Sequence, residues 1–298
     1  MLTAVLPTVA DSHDIGWGPR VRASLQSWRF SIPGHDLPLG PSSRWIEIAG
    51  IGKFAIDWQR KLLIAQQLRE TVTSLDLQHI VQDHLVPRLL AETGLFVLHA
   101  GAVDMGGALA LFLGESGAGK STLAASLHAR GHPLLGDDAM VVERAGNGFE
   151  GSAVYRSLRL YDDSLQTAFK GAARSAPMAD YSVKRQVLVE ADPATPEGPL
   201  PIAALFFLSG PGWDSAPAAS LLTPTKACIE LVGQSFSLDV RDPKCGARRL
   251  AQASGLALAV PAYQLSYRHD YDDLDAVHAM IEQVVASARS AAAEGVAR

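Results

Sequence analysis

The sequence predicts an α/β protein in which a mixed sheet carries a phosphate-binding loop, with a small β-rich unit ahead of it. Three observations predict this. The stretch GESGAGKST, Gly114 to Thr122, lies between an apolar run and an amphipathic one, which places a glycine-rich loop at a strand-to-helix junction. On either side of it, short apolar runs alternate with segments of helical period. Residues 1–92 have a different texture, with short segments rich in aromatic and β-branched residues separated by Gly, Pro and Ser. Two units follow from that change: residues 1–92, β-rich with a linking helix, and residues 93–298, built around the loop.

In chain order, SWRFSI, SRWIEIAG and KFAIDWQ read as strands of a small antiparallel unit. LDLQHIVQDHLVPRLLAETG has apolar residues at helical spacing, Gly94 as a stop and Pro87 as a kink or division. LFVLHAGAV and ALALFLG read as buried strands joined by the turn DMGG, and KSTLAASLHAR as a helix ended by Gly131. AMVVER, RQVLVE and IAALFFLSG are further strands, interrupted by the Pro-rich surface loop ADPATPEGPLP. LALAVPAYQLSY reads as a strand, and DDLDAVHAMIEQVVASARSAAA as a closing amphipathic helix with acidic residues at its start and a fraying Ala/Ser-rich tail.

Composition bounds the function. A net charge of -5 over 298 residues gives no global basic surface, so nucleic acid is not the expected partner. Cys228 and Cys245 form neither a CxxC pair nor a metal-like cluster, which argues against a disulfide framework or structural zinc and favours a cytoplasmic setting. No apolar window is long enough for a membrane span, and the start MLTAVLPTVADSHD lacks the basic flank of a secretory signal, so no membrane association is expected.

GESGAGKS satisfies GxxxxGK[ST]. Gly114, Gly117 and Gly119 let the backbone around Glu115, Ser116 and Ala118 bend so that N–H groups converge on phosphate oxygens, and the helix through Thr122 adds its positive end. Lys120 would reach the β- and γ-phosphates of a nucleoside triphosphate, and Ser121 would coordinate magnesium. Asp137 and Asp138 follow a short apolar run. Two carboxylates there suit magnesium binding and proton acceptance from an attacking hydroxyl, although such a pair is also ordinary turn chemistry. His99 interrupts an apolar run, and a strand paired beside the loop's own strand would bring it toward the γ-phosphate.

The run LHAGAVDMGGALALFLGESGAGKSTLAASLHARGHPLLGDDAMVVE resembles the catalytic core of HPr serine kinase/phosphorylase and the wider HPr-kinase-like group. The resemblance covers about 45 residues, from a His in the first strand through the loop to the RGH and DD elements, and continues weakly to about Tyr271. It implies a P-loop serine kinase using ATP and Mg²⁺. Asp138 is then the base, His99 and Lys120 lie near the transferred phosphoryl group, Ser121 is on the metal, and Asp137 tunes its neighbour, ligates metal through water or caps the turn. The family signature EIRGLG is replaced by VYRSLRL, so Val154 stands where an acidic metal ligand belongs. Asp162 or Asp163 substitutes for it, or the metal relies on Ser121 and the Asp pair. Loss of the glycines argues against the reverse, phosphorolytic activity. Arg156 and Arg159 are candidate phosphate or substrate contacts, as are Lys184 and Arg185 in DYSVKRQV, with Arg248 and Arg249 as weaker ones. The β-rich leader resembles the short one of HPr-kinase-like proteins, some of which are found beside genes for ribosomally made peptides, including lasso peptides, where they phosphorylate the peptide. The implied acceptor is a serine on such a precursor peptide or on a small protein, with HPr itself as the alternative and a homo-oligomer as a candidate assembly. A nucleotide-binding switch or scaffold without transfer, and an NTPase using water, are the rival functions.

Overall fold

The computed structural model describes residues 17–32, 40, 43–156, 158–170, 173–187, 198–210 and 213–296. The chain enters through α1 (Pro19–Leu25), where Pro19 sits at the start of the helix, a position needing no backbone donor. A four-stranded sheet follows, with β1 (Arg29–Ser31), β2 (Arg44–Ile48), β3 (Gly52–Asp57) and β4 (Leu62–Gln66) in the order β1-β4-β3-β2. This unit is not wholly antiparallel as the sequence suggests, because β1 pairs with β4 in parallel. Neither α1 nor β4 is signalled by the aromatic-rich segments that mark the other strands.

The linking helix divides where the sequence places a break, but the break has its own geometry. α2 (Ser74–Ile80) opens with a capping box in which Thr73 and Asp76 satisfy each other's backbone donors. It then passes through a π-helical turn, Val81–Leu85, into α3 (Val86–Glu92), which holds Pro87 in its first turn. Pro87 has no N–H to give the preceding turn, and the widened turn absorbs the missing bond.

The central sheet holds β5 (Phe96–Leu98), β6 (Ala100–Asp104), β7 (Leu109–Leu113), β8 (Leu134–Gly136), β9 (Met140–Ala145), β10 (Gly148–Ala153) and β14 (Leu200–Leu208), ordered β5-β9-β10-β14-β7-β6-β8. β15 (Ala218–Leu221) and β16 (Ala262–Ser266) extend it beside β14. β7, β14 and β16 run parallel and the other pairings are antiparallel, so the sheet is mixed as expected. A small second sheet joins β11 (Leu158–Leu160), β12 (Ser175–Pro177) and β13 (Arg185–Val187). α4 (Lys120–Ala129), α5 (Asp162–Phe169) and α8 (Leu274–Val296) lie on the side of the central sheet where Phe112 and Phe206 stack, while α6 (Pro224–Gly233) and α7 (Pro243–Ala259) pack against Leu111 and Leu205. A third cluster runs from Trp17, Trp28 and Phe54 through Leu85 and Leu89 to Val97, Val141 and Tyr155, so apolar packing is continuous across residue 92.

Two boundaries move from expectation. LALA belongs to the last turn of α7, because Val260 precedes Pro261 and is forced into an extended conformation; only Ala262–Ser266 is strand. The loop ADPATPEGPLP ends sooner than expected, since Leu200 and Pro201 already belong to β14, while residues 191–197 lie outside the described part. Among the described residues no helix is long and apolar enough to cross a membrane.

Candidate active site

The glycine-rich loop, Gly114 to Thr122, leaves β7 and enters α4 in a few tightly turned residues. Gly119 has φ +87°, and a side chain there would meet the Tyr267 hydroxyl at 3.0 Å. Gly114 has φ +147° and lies close to the Leu208 carbonyl of β14. Both positions therefore demand glycine for conformation and for space. Lys120 is buried and donates from Nζ to the carbonyls of Gly114 (2.7 Å) and Glu115 (3.1 Å). Burial lowers its pKa, and the charges of Asp138 and Asp137 oppose that shift.

β6 pairs antiparallel to β7, with Ala100 opposite Leu113, so His99 stands beside the start of the loop as the strand-pairing argument requires. Asp137 and Asp138 follow β8, the strand on the far side of β6. His99, Ser116, Lys120, Ser121, Thr122 and Asp138 thus come together around a cleft of about 270 Å³. Lys184 lines it too, with Nζ 5.2 Å from the centre of the Tyr161 ring.

The adjacent acids occupy opposite environments. Asp137 is fully buried; its Oδ2 accepts from the Arg159 backbone N–H, the Ser121 hydroxyl reaches its carboxyl, and Oδ1 has no partner. Burial and then the neighbouring Asp138 charge push its pKa above the usual carboxylate range. The Asp138 side chain is 24% exposed and faces the cleft, with Oδ1 3.7 Å from His99 Nε2 and Oδ2 accepting from Arg159 Nη1. Burial also pushes this carboxyl up, but the Arg159 guanidinium and then His99 outweigh it and hold Asp138 ionised, well below the usual range.

An unpartnered carboxylate oxygen sealed beside a serine hydroxyl is a donor pair that suits a magnesium ion completed by nucleotide phosphates. A protein-only metal cage is absent, since no group of three or more His, Cys, Asp or Glu suited to a metal occurs among the described residues. Val154 is buried in the core and offers nothing. Of its two candidate substitutes, Asp163 lines the cleft and accepts from the Tyr271 hydroxyl at 3.1 Å, whereas Asp162 lies 3.9 Å from Arg185 and outside the lining.

The arginine candidates separate. Arg159 reaches the cleft, but its guanidinium is bound to Asp138 and, at 2.6 Å, to Asp83. This explains why it is not free for a phosphate. Arg156 lies outside the lining, and Arg185 donates to the Ser175 hydroxyl and carbonyl. Arg248 and Arg249 brace the carbonyls of Ala91 and Val232, away from the cleft. Sequence reasoning passed over Asp83, Tyr155 and the Tyr267, His269 and Tyr271 series, which lines the cleft with Tyr267 and His269 against Gly119 of the loop. The alternating aromatics of YRHDY and the i, i+4 spacing of His79 and Asp83 were the available signals.

Comparison with known proteins bears out the resemblance carried by the loop and the Asp pair. The chain is 44% identical over 55 residues to the HPr kinase/phosphorylase of Chlorobium phaeovibrioides, covering 18% of this chain and 17% of that protein. It is 32% identical over 114 residues to that of Alkaliphilus metalliredigens, covering 38% and 34%. It is 38% identical over 65 residues to that of Mycoplasmopsis pulmonis, covering 22% and 21%. The chain therefore spans about a third or less of the length of these curated relatives. The solved Hpr(Ser) kinase/phosphatase of Coxiella burnetii aligns over 67% of this chain and 94% of its own, at 15% identity and a TM-score of 0.34. No protein-family model matches.

Proposed function

We propose that this HPr-kinase-like chain is an ATP- and magnesium-dependent kinase that transfers the γ-phosphate to a serine hydroxyl of a peptide or small protein. The observation that carries the proposal is the inequality of the two acids: Asp137 is sealed beside Ser121, while Asp138 faces the cleft between Lys120 and His99. A switch protein needs a water-positioning group and no open wall for an acceptor. Here an ionised carboxylate fronts the space into which an acceptor hydroxyl would come.

In this reading the loop amides and Lys120 hold the β- and γ-phosphates, the ammonium leaving the Gly114 and Glu115 carbonyls for them. Ser121 and Asp137 are the protein ligands of magnesium, which supplies charge neutralisation when bound. The serine Oγ attacks the γ-phosphorus in line, the bond to the β–γ bridging oxygen breaks, and ADP leaves. The serine proton passes to Asp138. A weakly basic carboxylate suffices, because in a loose transition state the hydroxyl loses its proton late. Lys184 adds positive charge at the acceptor side, where His99 also lines the cleft.

A precursor peptide is the preferred acceptor, on the resemblance to HPr-kinase-like proteins of which some phosphorylate such peptides. HPr is the second, favoured by the names of the relatives. Asp138→Asn tests the reading. It keeps size and most hydrogen bonding, so a fluorescent ATP analogue should bind nearly as well, while transfer of labelled γ-phosphate should fall roughly 10²- to 10⁴-fold. Transfer at the wild-type rate would remove Asp138 from the mechanism.

A further inference from the structure

Arg159 is buried between carboxylates from two distant parts of the chain. Nη1 donates to Asp138 in the cleft, and Nη2 donates to Asp83 Oδ1 at 2.6 Å. Asp83 belongs to the π-helical turn Val81–Leu85 of the linking helix. Its Oδ1 also accepts from the Tyr155 hydroxyl at 2.7 Å, and its Oδ2 lies 2.5 Å from His79 Nε2. The Tyr155 oxygen accepts in turn from Arg159 Nη1 at 3.2 Å, closing a ring of three groups. The side chains of Arg159, His79 and Asp83 are 4%, 9% and 11% exposed, so water contributes little to holding this arrangement.

We propose that Asp83 is a positioning residue for phosphoryl transfer: it fixes the Arg159 guanidinium and, through that rigid fork, the orientation of the Asp138 carboxylate in the cleft. The proposal rests on the kinase reading of the cleft. A guanidinium presents its donors in one plane at fixed angles, so anchoring one nitrogen dictates where the other points. With Oδ2 of Asp138 pinned in this way, Oδ1 is turned toward His99. Neutralising Asp138 alone would need a single cation. The second carboxylate, supplied from a π turn of the kind that recurs at functional sites, adds direction to the contact. The same helical element also holds the segment leading to Lys184: Asp76 Oδ1 accepts from the Asp180 backbone N–H at 2.8 Å, and His79 Nδ1 bonds the Tyr181 hydroxyl. Both walls of the acceptor side therefore lean on residues 76–83.

The test uses the full chain with Asp83→Asn, Asp83→Glu, Asp138→Asn and the Asp83→Asn/Asp138→Asn double variant, each checked for folding by circular dichroism. Magnesium-dependent ATP turnover to water, binding of a fluorescent ATP analogue and urea unfolding are measured. Asp83→Asn should lower kcat roughly 10- to 100-fold with the KM for ATP and analogue binding unchanged. Asp83→Glu should recover part of kcat, and the double variant should be no slower than Asp138→Asn alone. Should Asp83→Asn fail to fold, Tyr155→Phe loosens the same carboxylate without removing its charge and should show the same split with a smaller loss. An unchanged kcat, a raised KM, or multiplicative losses in the double variant overturn the proposal. A wild-type chain that binds the analogue but never turns over ATP, even with candidate acceptors, overturns the kinase reading and the positioning role with it. The urea data then still report on the geometry: losses of stability that do not add show the two carboxylates sharing Arg159, and additive losses show that they do not.

Discussion

Two buried cations border the cleft, and they are held in opposite ways. Lys120 is 6% exposed and rests on two neutral carbonyls of its own loop, and burial lowers its pKa. Arg159 is 4% exposed and lies between two carboxylates; burial lowers its pKa as well, but Tyr155, Asp138 and Asp83 together raise it well above the ordinary value. A cation on carbonyls gives up little when a phosphate offers itself, whereas a cation between two anions would leave both uncompensated by moving. In the kinase reading proposed above, the Lys120 side of the cleft is thus suited to exchange partners and the Arg159 side to keep them. Functional and structural charge are told apart here by what each charge would abandon, since their burial is nearly the same.

The comparison can be broken by removing each cation in turn. Lys120→Met should abolish nucleotide-dependent turnover while changing unfolding free energy by less than about 1 kcal/mol, because only hydrogen bonds to neutral carbonyls are lost. Arg159→Met should destabilise the fold by about 3 to 5 kcal/mol in urea unfolding, since the loss of one partner leaves buried carboxylates unpaired. Equal losses of stability in the two variants would end the distinction. The smallest effect separates the ion network from the acid response of the fold. Burial holds His278 and His84 down at about 4, from an ordinary value of 6.5. Above pH 6.5 both are neutral folded or unfolded and cost nothing. As pH falls from 6.5 toward 4 the unfolded chain takes up their protons first, so stability declines through that window. His278→Gln should flatten the decline in urea midpoint between pH 7 and pH 5, and an unaltered slope would show that His278 does not contribute.

The glycine-rich loop was legible because its constraints are consecutive. Nine residues from Gly114 to Thr122 carry the glycines, the cation and the hydroxyl, and the flanking strand and helix follow from local patterning. His99 could be placed as well, since pairing two adjacent strands is the simplest reading of a short turn between apolar runs. The Arg159 side of the cleft could not be read in the same way. Arg159 reads from sequence as a candidate phosphate or substrate contact, whereas β11 places it between Asp138 and Asp83, and Asp83 carries no motif of its own: a π turn directs it to Arg159. Neither position departs from ordinary local chemistry, so their union depends on tertiary packing alone. The parallel pairing of β1 with β4 escaped notice for the same reason, as short strands give no sign of partner or direction.

The place of β14 in the sheet sets an order of events during synthesis. β7, which delivers the glycine-rich loop, is bordered by β6 on one side and β14 on the other. β6 and β7 are joined by a tight turn and can pair as soon as both have left the ribosome. β14 is not complete until Leu208 has been made. Through that interval the wholly apolar strand LALFL presents an open edge to other nascent chains. A chaperone that shields short apolar strands should therefore engage this polypeptide after Leu113 emerges and release it once β14 has closed the gap.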